Sequence, residues 1–391
     1  MKKIELLAPA GDMERLKIAY LYGADAVYIG GDFNLRANAS NFTLEDIKKA
    51  TEYAHRLNKK LYVTVNIALH NKELECIDDY LKELDKIKVD AIIVSDPVII
   101  KKAKELTNLE VHLSTQNSTL NKEAIEFFKN EGVSRIVLAR ECSYKDIKDI
   151  KNNINIELEV FIHGAICASY SGRCTLSNYL TNRDSNRGGC SQICRWDFEL
   201  KENEEDLKGD RPFTFCTKDL SMINHIPKLI ELGVDSLKVE GRMRSSYYIA
   251  TIIKVYRTVI DNYYNKKEYI YNGEYEKVLR RCANRDSVTQ FFDGIFDKTT
   301  QYYNGRQEIT NQDFLGTILD YKDGFMKVEQ RNYFEKNDTV VIFGPKEEFT
   351  FKIEEIYDES GEKIDVVRHP KQIVYIKVPR EVKKDYMMKK S

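Results

Sequence analysis

IEFFKNEGVSRIVLAR (125–140) decides the fold. Its first half has the spacing of an amphipathic helix, Gly132 stands where that helix would stop, and a short Ile-Val-Leu run follows. The same helix–glycine–strand unit recurs as LKIAYLYGADAVYIGG (16–31) and IPKLIELGVDSLKVEGR (226–242). Gly23, Gly132 and Gly233 sit where a helix ends in a left-handed residue, which glycine adopts without steric cost. The apolar runs are bounded by polar residues and rich in Val and Ile, as parallel strands covered on both faces are. Working outward, such strands are expected at 4–8, 26–29, 61–65, 91–94, 110–115, 135–139, 156–162 and 236–239. Eight strand–helix units in about 250 residues is the arithmetic of a (β/α)8 TIM-like barrel, an α/β fold. A doubly wound open sheet is the competing arrangement.

The spacing predicts a barrel over 1–263, closed by the helix 246–263 and interrupted by a cysteine-rich insertion over 164–216. Residues 264–310 form a connecting segment without clear periodicity. From 311 to 391 the period changes to two, with glycine at the turns, which predicts a small C-terminal β-barrel. It is expected to end in a basic tail (Lys383, Lys384, Lys389, Lys390), either a solvated terminus or a contact to an RNA backbone.

The 391 residues balance 61 Lys+Arg against 62 Asp+Glu, which excludes a strongly basic molecule but leaves room for a local basic face. No stretch approaches the roughly 18 apolar residues of a membrane helix, and the N-terminus lacks a signal-like run. A cytoplasmic protein without membrane partners is expected. A disulfide framework is not expected there.

The insertion reads HGAICASYSGRCTLSNYLTNRDSNRGGCSQICRWDF (163–198), with the spacing Cys167-x6-Cys174-x15-Cys190-x3-Cys194. Four thiolates suit either a 4Fe-4S cluster or zinc. The wide first spacing favours iron–sulfur, while Cys190/Cys194 alone has a zinc-like interval. Cys216 is a rival fourth ligand or a buried structural thiol. Cys142 follows the sixth strand and could reach the mouth, Cys76 is expected in the core, and Cys282 lacks metal context. Arg173, Arg183, Arg187 and Arg195 are opposed between 163 and 196 only by Asp184. Either they neutralise a thiolate-rich cluster or, with Tyr170, Tyr179 and Trp196, they form a surface for single-stranded nucleic acid.

Chemistry in this architecture gathers at the carboxyl ends of the strands. Alternation puts His112, Ser114 and Gln116 on one face, Glu157, Glu159 and His163 on another, and Lys238 with Glu240 on a third, with Arg242 just beyond. Asn66 and Arg140 end their strands. Lys238, Arg140 and Arg242 would draw an anionic small molecule, unless Lys238 and Glu240 are an internal ion pair. His163 or His112, with Glu240, would move protons, or the histidines make structural hydrogen bonds. Gly30 and Gly31 could let a ligand approach the backbone. There is no G-x-S-x-G elbow, H-E-x-x-H motif or dinucleotide fingerprint.

At these residues the sequence resembles peptidase family U32, the collagenase-like proteases. The resemblance is carried by LLAPAGDMERLKIAYLYGADAVYIGG, LRANASNF (35–42), YVTVNIALHN (62–71), HLSTQ (112–116), FIHGAICASYSGRC and LKVEGRMRSSYYIATIIKVYR (237–257). It implies either proteolysis or, as in relatives with RDSNRGGCSQICRW-like segments, oxygen-independent hydroxylation. In those relatives 5-hydroxyuridine is installed at the tRNA wobble position, with prephenate implicated. By this resemblance Cys167, Cys174 and Cys190 belong to a 4Fe-4S cluster, with Cys194 or Cys216 as the fourth ligand. Arg140, Lys238 and Arg242 would hold a carboxylate-rich donor, Asn66 and Gln116 would line the substrate site, and Arg173 and Arg195 would position tRNA. The alternatives are a peptidase acting on protein and a zinc-stabilised RNA-binding protein.

Overall fold

A computed structural model describes residues 3–34, 41–203, 205–206, 212–266, 273–283, 285–294, 297–302 and 313–391. Most of LRANASNF, and parts of the connecting segment, lie outside the described residues.

Eight parallel strands close into a barrel. They are β1 (Glu5–Pro9), β2 (Ala26–Gly30), β3 (Lys60–Val65), β4 (Ala91–Val94), β5 (Glu110–Leu113), β6 (Arg135–Val137), β7 (Glu157–Gly164) and β8 (Ser236–Val239). Each pairs with the next, and β8 pairs with both β7 and β1, so the sheet has no free edge here. The helices that follow the strands are α1 (Met13–Leu21), α2 (Leu44–Arg56), α3 (Ile77–Ile87), α4 (Pro97–Leu106), α5 (Lys122–Asn130), α6 (Tyr144–Asn153), α7 (Ile226–Glu231) and α8 (Ser246–Lys266).

Local chemistry sets the helix ends. Thr43 with Asp46, and Ser143 with Asp146, make reciprocal capping boxes that satisfy otherwise orphaned N–H groups. The recurring glycine falls just beyond the helix as the sequence predicts, with φ of +98° at Gly132 and +75° at Gly233.

Strand alternation then divides the packing. Leu6, Ala8, Val27, Ile29, Leu61, Val63 and Ile92 join the helices in the main core. Leu7, Ala26, Tyr28, Tyr62, Ala91 and Ile93 form a small separate cluster. Burial of each large apolar side chain contributes about 1.5–3 kcal/mol.

Between β7 and α7 the chain leaves the barrel and returns through a short strand, Asp219–Ser221, antiparallel to the end of β7. Among its described residues, the connecting segment carries regular structure that its sequence does not indicate. It contains α9 (Gly273–Ala283), and Ser287–Val288 pairs with Asp219–Leu220. Tyr302 clasps the return strand: its N–H donates to the Cys216 carbonyl at 2.8 Å, and its own carbonyl accepts from Thr214 at 2.6 Å.

The C-terminal unit is an antiparallel β domain. Its main strands are β9 (Phe314–Lys322), β10 (Phe325–Gln330), β11 (Thr339–Phe343), β12 (Glu348–Lys352), β13 (Ile373–Lys377) and β14 (Met387–Lys390), in sheet order β12-β11-β14-β9-β10-β13. The expected basic tail is therefore corrected. Met387–Lys390 is an interior strand paired on both sides, and the alternation of a strand sends Met387 into the main core and Met388 into the core of the β domain. The domain packs on the barrel through Tyr247 stacked on Phe314 (ring centroids 4.7 Å apart) and through the Tyr22 hydroxyl, 3.2 Å from the Phe343 carbonyl. No described helix is long and apolar enough to cross a membrane.

Candidate active site at the carboxyl end of the barrel

The barrel interior carries a charge network. Arg135 on β6 donates to Glu5 at 2.6 Å, Glu157 at 2.8 Å and Glu159 at 3.2 Å, and Lys238 on β8 donates to Glu159 at 2.7 Å. Tyr62 and Ser236 donate hydroxyls to Glu5 at 2.7 and 2.9 Å. Burial alone would lift the Glu159 carboxyl, but Lys238 and then Arg135 outweigh it and hold it at about 2. Lys238, whose ammonium burial pulls down against the pull of Glu159, also stands over the Tyr28 ring at 4.6 Å and Phe161 at 5.3 Å. The internal pair expected for Lys238 with Glu240 is made with Glu159 instead: Glu159 pairs with Ser236 in the β7–β8 ladder, which makes it the diagonal neighbour of Lys238 on the same face.

His112 belongs to this interior. Its ring is edge-on to Tyr62 at 4.8 Å, its Nε2 stands 3.7 Å from Glu110, and neither ring nitrogen has a hydrogen-bond partner. Burial, first of all, lowers its basicity.

The mouth lies above. Arg242 follows β8 and reaches across the barrel, donating to Asn34 Oδ1 at 2.6 Å and Thr64 Oγ1 at 3.3 Å. Asn66 donates to Gln116 Oε1 at 3.2 Å, and Ser114 bonds to the same oxygen. Arg140 stacks its guanidinium 4.0 Å from the Phe161 ring centroid and donates to the Ala165 carbonyl at 2.6 Å, two residues before Cys167. Glu240 is buried beside Gly164, and its backbone N–H donates to the His163 carbonyl at 2.9 Å. The glycines expected to admit a ligand serve side chains instead. A Cβ on Gly30 would lie 1.9 Å from Arg242 Nη1, and one on Gly31 would lie 2.0 Å from the Tyr80 hydroxyl.

His163 does not share the face of Glu157 and Glu159. The β7–β8 register slips between Lys238/Phe161 and Val239/His163, so β7 carries one extra residue there. The bulge turns the ring toward α8, where Nδ1 is 3.3 Å from the Tyr256 hydroxyl and the ring packs against Tyr248 and Tyr256. The residue is 1% exposed, and burial, reinforced by Arg244, pushes the imidazole down to about 3 despite Glu240. It is neutral at pH 7 and walled off from the mouth.

Over the mouth, several contacts from other loops fasten the insertion. Glu141 accepts the N–H and hydroxyl of Ser171 at 2.6 and 2.9 Å, Arg187 forks onto Glu73 at 2.9 and 2.6 Å, and Ala68 N–H donates to the Asn186 carbonyl at 3.0 Å. Cys167, Cys174 and Cys194 are half-buried, Cys190 is exposed and Cys216 is buried. Burial and then Cys167 push the Cys194 thiol up to about 11, with Cys190 and Cys216 adding to the effect and Arg195 opposing it. Cys167, Cys190 and Cys216 therefore each lie within electrostatic reach of Cys194. Cys174 is placed by Asn186, whose side chain bonds its N–H at 3.3 Å and its carbonyl at 3.0 Å. Among the described residues no three Cys, His, Asp or Glu side chains are already gathered closely enough to hold a metal ion. The donor chemistry, reachable soft thiols, fits an iron–sulfur or zinc centre.

Arg173 donates to Asn117 at 3.3 Å, and Arg195 to Gln192 at 2.8 Å. Of the remaining cysteines, Cys76 departs from expectation. Cys142 is buried and pushed up to about 12 by that burial, with its thiol 3.8 Å from the Thr119 carbonyl; Cys76 is exposed at the start of α3 rather than in the core. Sequence reasoning missed Asn34, Thr64, Phe161 and the buried Asp219–Arg285 pair (3.0 Å). Only the inward parity of Phe161 with Glu159 offered a signal. The others depend on contacts between strands far apart in sequence.

Residues 11–302 match peptidase family U32, and residues 310–389 match the peptidase family U32 C-terminal domain. The chain is 49% identical to tRNA hydroxylation protein P1 of Bacillus subtilis, over 100% of this chain and 95% of that relative. It is 32% identical to tRNA hydroxylation protein P of Haemophilus influenzae, over 99% and 95% respectively. It is also 33% identical to a protein named collagenase in Porphyromonas gingivalis, over 87% of this chain and 86% of that relative.

Proposed function

The chain belongs to peptidase family U32, and on that premise we propose that it is a tRNA-hydroxylating enzyme of the cytoplasm that forms 5-hydroxyuridine at the wobble position. The observation that carries this reading is the polar mouth of Arg140, Arg242, Asn66 and Gln116, roofed by the cysteine-bearing insertion. Similarity over the full length to two relatives named for tRNA hydroxylation supports it.

On this reading the reaction is oxygen-independent, and prephenate is its carboxylate-bearing donor. A 4Fe-4S cluster held by Cys167, Cys174 and Cys190, with Cys194 or Cys216 as the fourth thiol, would supply electron redistribution. Arg140 and Arg242 present guanidinium groups suited to carboxylates. Lys238, already neutralised by Glu159, holds the wall beneath them. Asn66 and Gln116 orient the polar edge of the base. On this reading Glu240 would move a proton at the mouth, and His163 would act through Tyr256 as a positioning residue. Proteolysis finds less support: neither His112 nor His163 is hydrogen-bonded to a serine or cysteine among the described residues.

Nucleoside mass spectrometry of tRNA from a deletion strain tests the reading. Wobble 5-hydroxyuridine should vanish, return with the wild-type gene, and stay absent with Arg242→Met. Retention of the nucleoside in the deletion strain would overturn it. Anaerobically purified protein should show iron–sulfur absorption that is lost in Cys167→Ala.

A further inference from the structure

Resting on the tRNA reading, we infer that the outer face of the insertion is a stacking platform for unpaired RNA bases. Tyr179 and Trp196 are its aromatic anchors, and Arg173 and Arg183 are its contacts to the backbone.

The first observation is exposure. Tyr179 is 83% exposed, Tyr170 53% and Trp196 47%, all within one short stretch. Large aromatics left in water together are a cost unless a partner covers them. The second is rigidity. The short helix Leu176–Thr181 is locked to the following loop, because Ser191 N–H donates to Ser177 Oγ at 3.0 Å and the Thr181 and Ser191 hydroxyls meet at 3.0 Å. That loop leads into the turn Ile193–Arg195, where Trp196 N–H donates to the Ile193 carbonyl at 3.0 Å. Both rings are thus presented by an ordered frame, which lowers the entropy lost on binding.

The third observation is charge. Within 163–196 the sole acid, Asp184, spends a carboxylate oxygen on the N–H of Asn186 at 2.9 Å. Arg187 is committed to Glu73, while Arg173 and Arg183 are exposed. Beyond Trp196 the chain turns acidic (Asp197, Glu199, Glu202), so the stretch that precedes it is the one whose charge favours a polyanion. Exposed aromatics interleaved with arginines, beside the mouth, suit bases that are already unstacked. A duplex offers no free base faces to such a surface. The occupant is therefore single-stranded or loop RNA.

Trp196 is the chain's single tryptophan, so its fluorescence reports this site directly. The full-length protein is titrated with unmodified tRNA, with a single-stranded oligonucleotide of its anticodon loop, and with the same oligonucleotide annealed to its complement. The tRNA and the single strand should quench Trp196, and the duplex should bind at least ten-fold more weakly without quenching. Filter binding should show a loss of roughly ten-fold or more for Tyr179→Ala and for Trp196→Ala, with Trp196→Phe restoring most of it. Arg183→Ala should flatten the salt dependence by about 0.7 in logarithmic slope. Binding of tRNA with unchanged Trp196 emission and wild-type affinity in Tyr179→Ala would overturn the platform while leaving the tRNA reading intact. Failure of the wild-type protein to bind tRNA would overturn both.

Discussion

His163 shows how much hangs on one backbone residue. Simple alternation along ELEVFIHG places it with Glu157 and Glu159, but the extra residue in β7 rotates it to the other side of the wall. No residue type in that stretch announces a bulge, so its side could not be read from the string. The consequence can be measured. The native ring titrates at about 3, whereas an unfolded histidine titrates near 6.5. Between those values the unfolded chain holds the extra proton, so the stability linked to His163 is complete above 6.5 and is lost as the pH falls toward 3. His112 and His225 are also lowered, by burial first, so wild type must be compared with His163→Gln. Between pH 6.5 and 5, urea unfolding should show wild type losing about 1–2 kcal/mol more than the variant. Parallel pH profiles would refute the buried neutral ring.

Among elements, the insertion depends on loops from other parts of the chain. Glu141, in the loop after β6, neutralises two donors of Ser171, whose φ of +48° is left-handed. Glu141→Ala leaves those donors without that partner, a loss of about 1–3 kcal/mol confined to the insertion. Limited proteolysis between residues 165 and 195 should accelerate several-fold while the barrel melts as before. An unchanged cleavage pattern would show the fastening to be dispensable. The barrel strands themselves were legible, because continuous Val/Ile runs and post-helical glycines are local signals. The connecting segment was not. Its short strand and Tyr302 clasp gain meaning only against residues 214–220.

At the scale of the molecule, barrel and C-terminal domain share a core. Phe343 and Met387, from the β domain, lie in the main cluster with the barrel helices, and Lys254 on α8 pairs with Glu348 at 3.1 Å. Phe343→Ala should therefore cost about 3–5 kcal/mol and lower a single calorimetric transition for the whole chain. Two separate transitions, with only one shifted, would show the units to be independent. The sequence by itself determined the eight-fold strand–helix repeat, the change of period near 311 and the grouping of cysteines, because periodicity and residue chemistry are properties of neighbours along the chain. Only the tertiary structure decided that Lys238 pairs with Glu159, that Gly30 yields space to Arg242 and that the final lysines lie in an interior strand. Each of those depends on which distant strand closes against which, and ring closure sets that partner, not local spacing.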